Sequence, residues 1–227
     1  MLFAIDIDRT IAGGFRAYVE HHNRDLALGI SQQVLDELVN YQEFLQLPEV
    51  IAYRRDNEAR FQASKDSIRV SLDVILSLET LPGAAEGVAL LSELGAICYY
   101  TIRANEVQEA TVQWLCEKQF LYPQSVVFCE SSIDKLVKLS QQETDETIVL
   151  IDDKFEVLLK AFDHCTRHIP AVTNALRERL TIVAFGIEAC NVPERDDMKL
   201  VALPSWYHVT DLVAANDLKA DGCFNVV

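Results

Sequence analysis

No stretch of the 227 residues reaches the roughly 18 consecutive apolar side chains of a membrane span, so no membrane partner is expected. The opening MLFAIDIDRT carries no basic leader and no small-residue cleavage site, and a charge appears by its sixth residue. A cytoplasmic location is therefore expected. No CxxC pair is present. The six cysteines (Cys98, Cys116, Cys129, Cys165, Cys190 and Cys223) are scattered, and they read as reduced core residues rather than a disulfide frame or a zinc site. Positive charge is scarce, with 20 Lys and Arg against 35 Asp and Glu. A formal charge of −15 repels a nucleic-acid backbone and argues against a nucleic-acid polymer as partner. It does not exclude a small phosphorylated ligand, because a bound divalent cation can supply local positive charge. Internal repeats and low-complexity runs are absent too.

Half of the residues are hydrophobic, enough for a packed core. Six short apolar segments read as buried parallel strands: Leu2–Ile7, Ala96–Thr101, Val126–Cys129, Thr147–Ile151, Thr181–Phe185 and Lys199–Leu203. Amphipathic stretches lie between most of them. Ala84–Leu94 starts after Pro82-Gly83 and stops at Gly95. Asn105–Gln119 places Val107, Ala110, Trp114 and Leu115 at helical spacing. This alternation predicts an α/β fold, a doubly wound, Rossmann-like parallel sheet.

The region 14–80 breaks the alternation. It shows no good strand but carries helical patterns, such as Val34, Leu35, Leu38, Tyr41, Leu45 and then Ile68, Leu72, Ile75, Leu76. Pro48 separates two of its helices. The expected organisation is a core of residues 1–13 and 81–227 with an all-helical cap, 14–80, inserted after the first strand. The segment Asp153–Leu180 exceeds a minimal crossover and has room for an extra helix. The tail Asp217–Val227 reads as peripheral.

Four places carry chemistry. In FAIDIDRTI an apolar strand ends in Asp6, with Asp8 two residues on; a carboxylate nucleophile with a second carboxylate for proton transfer suits phosphoryl transfer. Alone, this short pattern is matched equally well by a capped loop. In ICYYTIRA a second strand ends in Thr101, able to donate to a phosphoryl oxygen, with Arg103 beyond it; an ordinary helix N-cap explains such a residue as well. Lys135, near the start of a helix in SSIDKLVKL, can neutralise an anion, and Lys138 competes with it for that role. In TIVLIDDKF a buried strand ends in Asp152 and Asp153, and two adjacent acids there are costly unless a cation joins them.

Taken in order, DxDxT, a strand-end Thr, a Lys and an apolar-strand DD resemble the haloacid dehalogenase superfamily of phosphatases. The match covers about residues 1–13 and 81–214. The resemblance implies Asp6 as nucleophile and Asp8 as general acid/base. It implies Mg2+ ligated by Asp6, the Asp8 main-chain carbonyl and Asp152, with Asp153 ligating directly or through water. Thr101 and Lys135 would hold the phosphoryl group, with Arg9, Thr10 and Arg103 as substrate-binding candidates. YYTIRANEVQEATVQWL and SWYHVTDLV look like the branch with 5′-nucleotidase-like and acid-phosphatase-like members. One departure stands out: the family usually has Gly after the second Asp, and this chain has Arg9. Either the turn is unstrained there, or Arg9 reaches toward substrate or cap.

The resemblance implies a magnesium-dependent phosphohydrolase acting on a small phosphorylated metabolite, with nucleotide and sugar phosphate both open. A dehalogenase has no leaving group to protonate and no need of Asp8. A phosphonatase needs a Schiff-base lysine, and Lys65 is the only lysine of the cap. A response-regulator receiver orders its acids differently and has no cap. A phosphomutase shares the carboxylate pair, and a non-catalytic binding protein of this fold remains an alternative. Cap residues for specificity are Arg16, His21, His22, Arg24, Arg54, Arg55, Arg60 and Lys65, most of which read as a solvated face.

Overall fold

The computed structural model describes residues 1–142 and 146–214. The chain runs β1 (Leu2–Ile5), β2 (Ala12–Gly13), α1 (Phe15–Asp25), α2 (Gln32–Glu37), α3 (Tyr41–Leu45), α4 (Pro48–Ile68), α5 (Leu72–Ser77) and β3 (Glu79–Thr80). It continues with α6 (Ala84–Ser92), β4 (Ala96–Thr101), α7 (Gln108–Glu117), β5 (Val126–Phe128), α8 (Ser132–Ser140) and β6 (Ile148–Asp152). The described chain closes with α9 (Phe155–His168), α10 (Pro170–Leu176), β7 (Leu180–Phe185), β8 (Lys199–Leu203) and α11 (Val209–Ala214).

Six strands form one parallel sheet in the order β5-β4-β1-β6-β7-β8. All six expected strands are present. Their continuous apolar runs follow from burial on both faces, which a parallel sheet covered by helices demands. Alternation then sorts the side chains. Phe3, Ile5, Val149 and Ile151 point to the face covered by α6, α7 and α11. Ala4, Ile148 and Leu150 point to the face covered by α8, α9 and α10. The long crossover after β6 holds two helices, and Pro170 starts the second at a position where its missing N–H costs nothing.

The expected helical insertion is α1–α5. Its own core comprises Val19, Leu26, Ile30, Leu35, Phe44, Val50 and Phe61. Ser31, Asn40 and Ser71 cap α2, α3 and α5 through side-chain oxygens that accept backbone N–H groups. Pro48 opens α4, which bends at Asn57. One feature corrects the expectation of a strand-free segment: Glu79–Thr80 pairs antiparallel with Ala12–Gly13, so the chain leaves and re-enters the sheet through a two-stranded neck. Trp114 ties this neck down, its Nε1–H donating to Leu78 O at 2.8 Å.

The cysteine reading needs a correction as well. Cys129 and Cys165 are buried, but Cys116 and Cys190 are exposed, their short thiols sitting on outer faces. Cys223 and the tail 217–227 lie outside the described residues. No helix among the described residues is long and apolar enough to cross a membrane.

Candidate active site

Strand order reverses at β1: the chain goes first to β4 and β5 on one side, then to β6, β7 and β8 on the other. Ligands of open α/β sheets bind at such a switch point, beyond the carboxyl ends of the strands. Register aligns those ends, because Ile5 pairs with both Tyr99 and Ile151. Asp6, Thr101 and Asp152 therefore come together from three adjacent strands.

α8 supplies the cation. Ser131 caps its start, and Lys135 faces the sheet with 1% of its side chain exposed. Its Nζ donates to Asp6 Oδ1 at 2.7 Å and to Asp152 Oδ2 at 2.6 Å. Lys138 points elsewhere, donating to Phe128 O at 2.6 Å and pairing with Asp134 at 2.8 Å. Burial pushes the Asp6 carboxyl up to about 8, opposed by Lys135 and reinforced by Asp152. Burial, and then Asp152, lifts Asp153 to about 6. Burial alone would pull the Lys135 ammonium down, but Asp6 and Asp152 outweigh it and hold it above the usual lysine range.

This set of donors fits a hard divalent cation. Asp6, Asp152 and Asp153 each offer a carboxylate oxygen, all within 4.8 Å of one another. Three carboxylates face one ammonium, an excess of negative charge that a buried place tolerates badly. Asp153 Oδ1 is buried without a hydrogen-bond partner among the described residues. All-oxygen carboxylate ligation suits Mg2+.

Asp8 stands beside this cluster with its carboxylate held by Arg103. Arg103 Nε–H lies 3.0 Å from Oδ2 and 3.2 Å from Oδ1, and Nη2–H donates to Oδ1 at 2.8 Å. Nη1–H donates to Thr111 Oγ1 at 3.2 Å, and the guanidinium carbon lies 5.7 Å from the Trp114 ring centroid. All three nitrogens are thus engaged by protein. Arg103, expected to meet substrate, has its guanidinium on Asp8 and Thr111. Thr101 is fully buried, and its Oγ1 accepts the Arg103 N–H at 3.2 Å, a bond that leaves the hydroxyl proton unused.

Thr10, also expected at the substrate, is engaged by protein groups. It is fully buried, its Oγ1 accepts the Asp153 N–H at 3.2 Å, and its carbonyl accepts Trp206 Nε1–H at 2.5 Å. It ties the first loop to the acid pair. Asp152 Oδ1 likewise accepts the Lys154 N–H at 2.8 Å.

Arg9 resolves the two readings of its position. Its φ is 67°, in the left-handed region, so the turn is strained there. That conformation costs a non-glycine residue roughly 1–2 kcal/mol. The tight loop imposes it: the Thr10, Ile11 and Ala12 N–H groups all point to Ile7 O, and Arg9 N–H donates to Ala12 O. Its side chain is exposed and lines a cleft of about 1030 Å³ between the helical insert and the loops that follow β1 and β6. The acids lie outside that lining, but Arg9 and Lys154, which follow Asp8 and Asp153 directly, are part of it.

The insert contributes Tyr18, Tyr41, Lys65 and Arg69 to the cleft. Tyr41 is fixed by a buried histidine: His22 Nε2 lies 2.8 Å from its hydroxyl and His22 Nδ1 lies 3.0 Å from Ser64 Oγ. His22 stacks on Phe44 and Phe61, and burial pushes it down to about 4, so it is neutral at pH 7. Of the other insert cations considered from sequence, Arg16 pairs with Asp36, Arg54 with Glu58 and Arg55 with Asp56, while Arg24 and Arg60 are solvated. His21 meets Ser67. Tyr18, Arg69, Lys154 and Thr111 carry no local signal that sequence reasoning could have used.

Sheet order, acids at the switch point and a helical insert after the first strand together give this chain the fold of the haloacid dehalogenase-like hydrolases. Solved structures agree over nearly the whole length. A hydrolase of that superfamily from Geobacter sulfurreducens, of subfamily IA, variant 1, superposes with a TM-score of 0.55 at 13% identity, covering 93% of this chain and 95% of its own. A haloacid dehalogenase-like hydrolase from Burkholderia xenovorans gives 0.53 at 16% identity, over 96% of this chain and 98% of its own. A haloacid dehalogenase-like family hydrolase from Xanthomonas campestris gives 0.52 at 15% identity, over 96% and 92%. At these identities the likeness is one of fold. No protein-family model and no curated protein matches the sequence.

Proposed function

We propose that the chain is a magnesium-dependent phosphohydrolase that cleaves a small phosphomonoester through a phosphoaspartate on Asp6. The carrying observation is Lys135, buried and joined to both Asp6 and Asp152 at the switch point, with Asp8 beside them. On motif grounds we place it in the 5′-nucleotidase-like and acid-phosphatase-like branch, acting in the cytoplasm on a metabolite such as a nucleotide or sugar phosphate. Residues 14–80 serve as the cap that excludes water and selects the substrate.

Asp6, Asp152, Asp153 and the Asp8 main-chain carbonyl would hold Mg2+, which supplies the positive charge that lets an anionic ester approach carboxylates. An Asp6 oxygen attacks phosphorus in line, forming the acyl phosphate as the ester P–O bond breaks. Asp8, protonated and released from Arg103, gives its proton to the departing alcohol. Asp8 then takes a proton from water as that oxygen attacks phosphorus, and the Asp6–phosphorus bond breaks to free phosphate and restore Asp6. Lys135 and the Thr101 hydroxyl stabilise the phosphoryl oxygens throughout. Arg103 holds Asp8 in place between turns of the cycle. Lys65 is exposed, and nothing around it desolvates the amine as Schiff-base chemistry requires.

The test is phosphate release from 4-nitrophenyl phosphate, with magnesium and with chelator, by wild type and Asp6→Asn. Release that needs magnesium and disappears in the variant is expected. Full activity in Asp6→Asn would sink the mechanism, and acid-quench trapping of phosphate on Asp6 checks the intermediate directly.

A further inference from the structure

The cleft above the acids reverses the charge balance of the molecule. The chain carries 20 basic and 35 acidic residues. The charged residues lining the cleft are Arg9, Arg16, Lys65, Arg69 and Lys154 on the basic side, and only Glu79 on the acidic side. Arg16 is paired with Asp36. Arg9, Lys65, Arg69 and Lys154 have no ion-pair partner among the described residues. A chain this acidic has carboxylates to spare for pairing, so four unanswered cations in one concavity call for a ligand.

Arg9 connects the two halves of the site. It follows Asp8 in the chain, in a left-handed conformation the loop imposes, and a glycine would sit there without strain. A strained non-glycine residue at the lip of a cleft points to a use for its side chain. Its positive charge acts on the Asp153 carboxyl at the acid cluster and on the Tyr18 phenol in the cleft. Arg69 also acts on Tyr18, whose phenol burial holds up at about 12, with Asp8 adding to the rise. Tyr18 therefore marks where the acid cluster, Arg9 and the insert meet. Phe15, Tyr18 and Tyr41 offer ring surface between the cations.

We infer that the substrate carries a second anionic group, a carboxylate or a second phosphate, in addition to the phosphate that is cleaved, and that Arg9, Lys65 and Arg69 bind it in this cleft. The inference rests on the phosphohydrolase reading for the place of the first phosphate, while its own content is the second anion. A neutral body, such as an unsubstituted sugar or a simple alcohol, leaves the four cations unanswered and is a poorer ligand.

The test uses non-hydrolysable probes, so it does not depend on turnover. Phenylphosphonate, 4-carboxyphenylphosphonate and 1,4-phenylenebisphosphonate are titrated into the magnesium-loaded protein by calorimetry. The two probes that carry a second anionic group are expected to bind at least about tenfold more tightly than phenylphosphonate, the gain of one well-placed charge contact. Their order tells a carboxylate from a second phosphate. In Arg9→Gly and in Arg69→Gln that ratio falls to within about threefold of unity, and Arg9→Lys restores part of it. Equal binding of all three probes by wild type overturns the inference, as does a ratio unchanged in both variants. Failure of the phosphohydrolase reading shows differently: no ester is cleaved, whatever the binding ratio.

Discussion

The ends of β1, β4 and β6 and the cleft beneath the helical insert treat charge in opposite ways. At the strand ends three of the four acids are held by a cation: Lys135 spans Asp6 and Asp152, and Arg103 grips Asp8, while Asp153 keeps a buried Oδ1 without a partner among the described residues. In the cleft Arg9, Lys65, Arg69 and Lys154 stand exposed without an ion-pair partner among the described residues. The difference follows from burial. A charge removed from water must find its partner within the protein, whereas a charge at the surface is kept solvated and can await one from outside. The buried group is thus answered largely from within the chain, and the exposed group by solvent or by a ligand.

Four substitutions test how sharply those regions differ. The largest effect falls on Asp6→Asn, expected to lower kcat by roughly 10⁴-fold or more through loss of the nucleophile, with an unchanged circular dichroism spectrum. Wild-type-like turnover would remove the distinction altogether. Lys135→Met leaves three carboxylates without their ammonium and is expected to cost about 3–5 kcal/mol in urea unfolding with chelator present. Magnesium should recover more stability in this variant than in wild type, and an equal gain in both would place the cation elsewhere.

His22 belongs to the insert and not to the strand ends, yet it is the insert's one deeply buried titrating group. Its folded value of about 4 lies below the ordinary 6.5, owing to burial and then to His21 and Lys65, with Asp25 opposing. The unfolded chain therefore binds the extra proton first, and stability falls as pH drops from about 6.5 to about 4. The loss attributable to His22 is about 2–3 kcal/mol, to be read as the part of the pH dependence of urea unfolding that His22→Phe abolishes. The smallest effect is Gly87→Ala on α6. A methyl there would sit 2.4 Å from the Trp206 ring, whose indole holds Thr10. A destabilisation of about 1–2 kcal/mol is expected in thermal unfolding, with kcat reduced only as the Thr10 loop shifts.

Legibility divides along the same line. Runs such as Thr147–Ile151 and Ala96–Thr101 announced the strands because a parallel sheet buried on both faces must be apolar throughout, and the acids that end them stood out against that background. Asp6, Asp8, Asp152 and Asp153 stood out for this reason, while Thr101 and Lys135 were singled out by the order of the motifs, and α8 turns Lys135 to the sheet and leaves Lys138 on Asp134. The roles of Arg103 and Thr10 were not readable, because a hydrogen bond between residues 95 apart, such as that from Arg103 to Asp8, leaves no local pattern. Arg69 and Lys154 looked like any solvated cation, since what distinguishes them is the cleft they share. The two-residue strands of the neck were too short to show any period.

That neck has a consequence for how such a molecule can vary. Ala12 sits opposite Thr80 and Gly13 opposite Glu79, so the chain departs and returns at neighbouring points. Residues of α1 to α4 gather around their own core beyond this doorway, whereas Ile68, Val74, Ile75 and Leu78 pack into the core that holds Phe3 and Ile5. The part of the cleft lining that α1 to α4 supply can thus change while the register of β1 and β6 is kept.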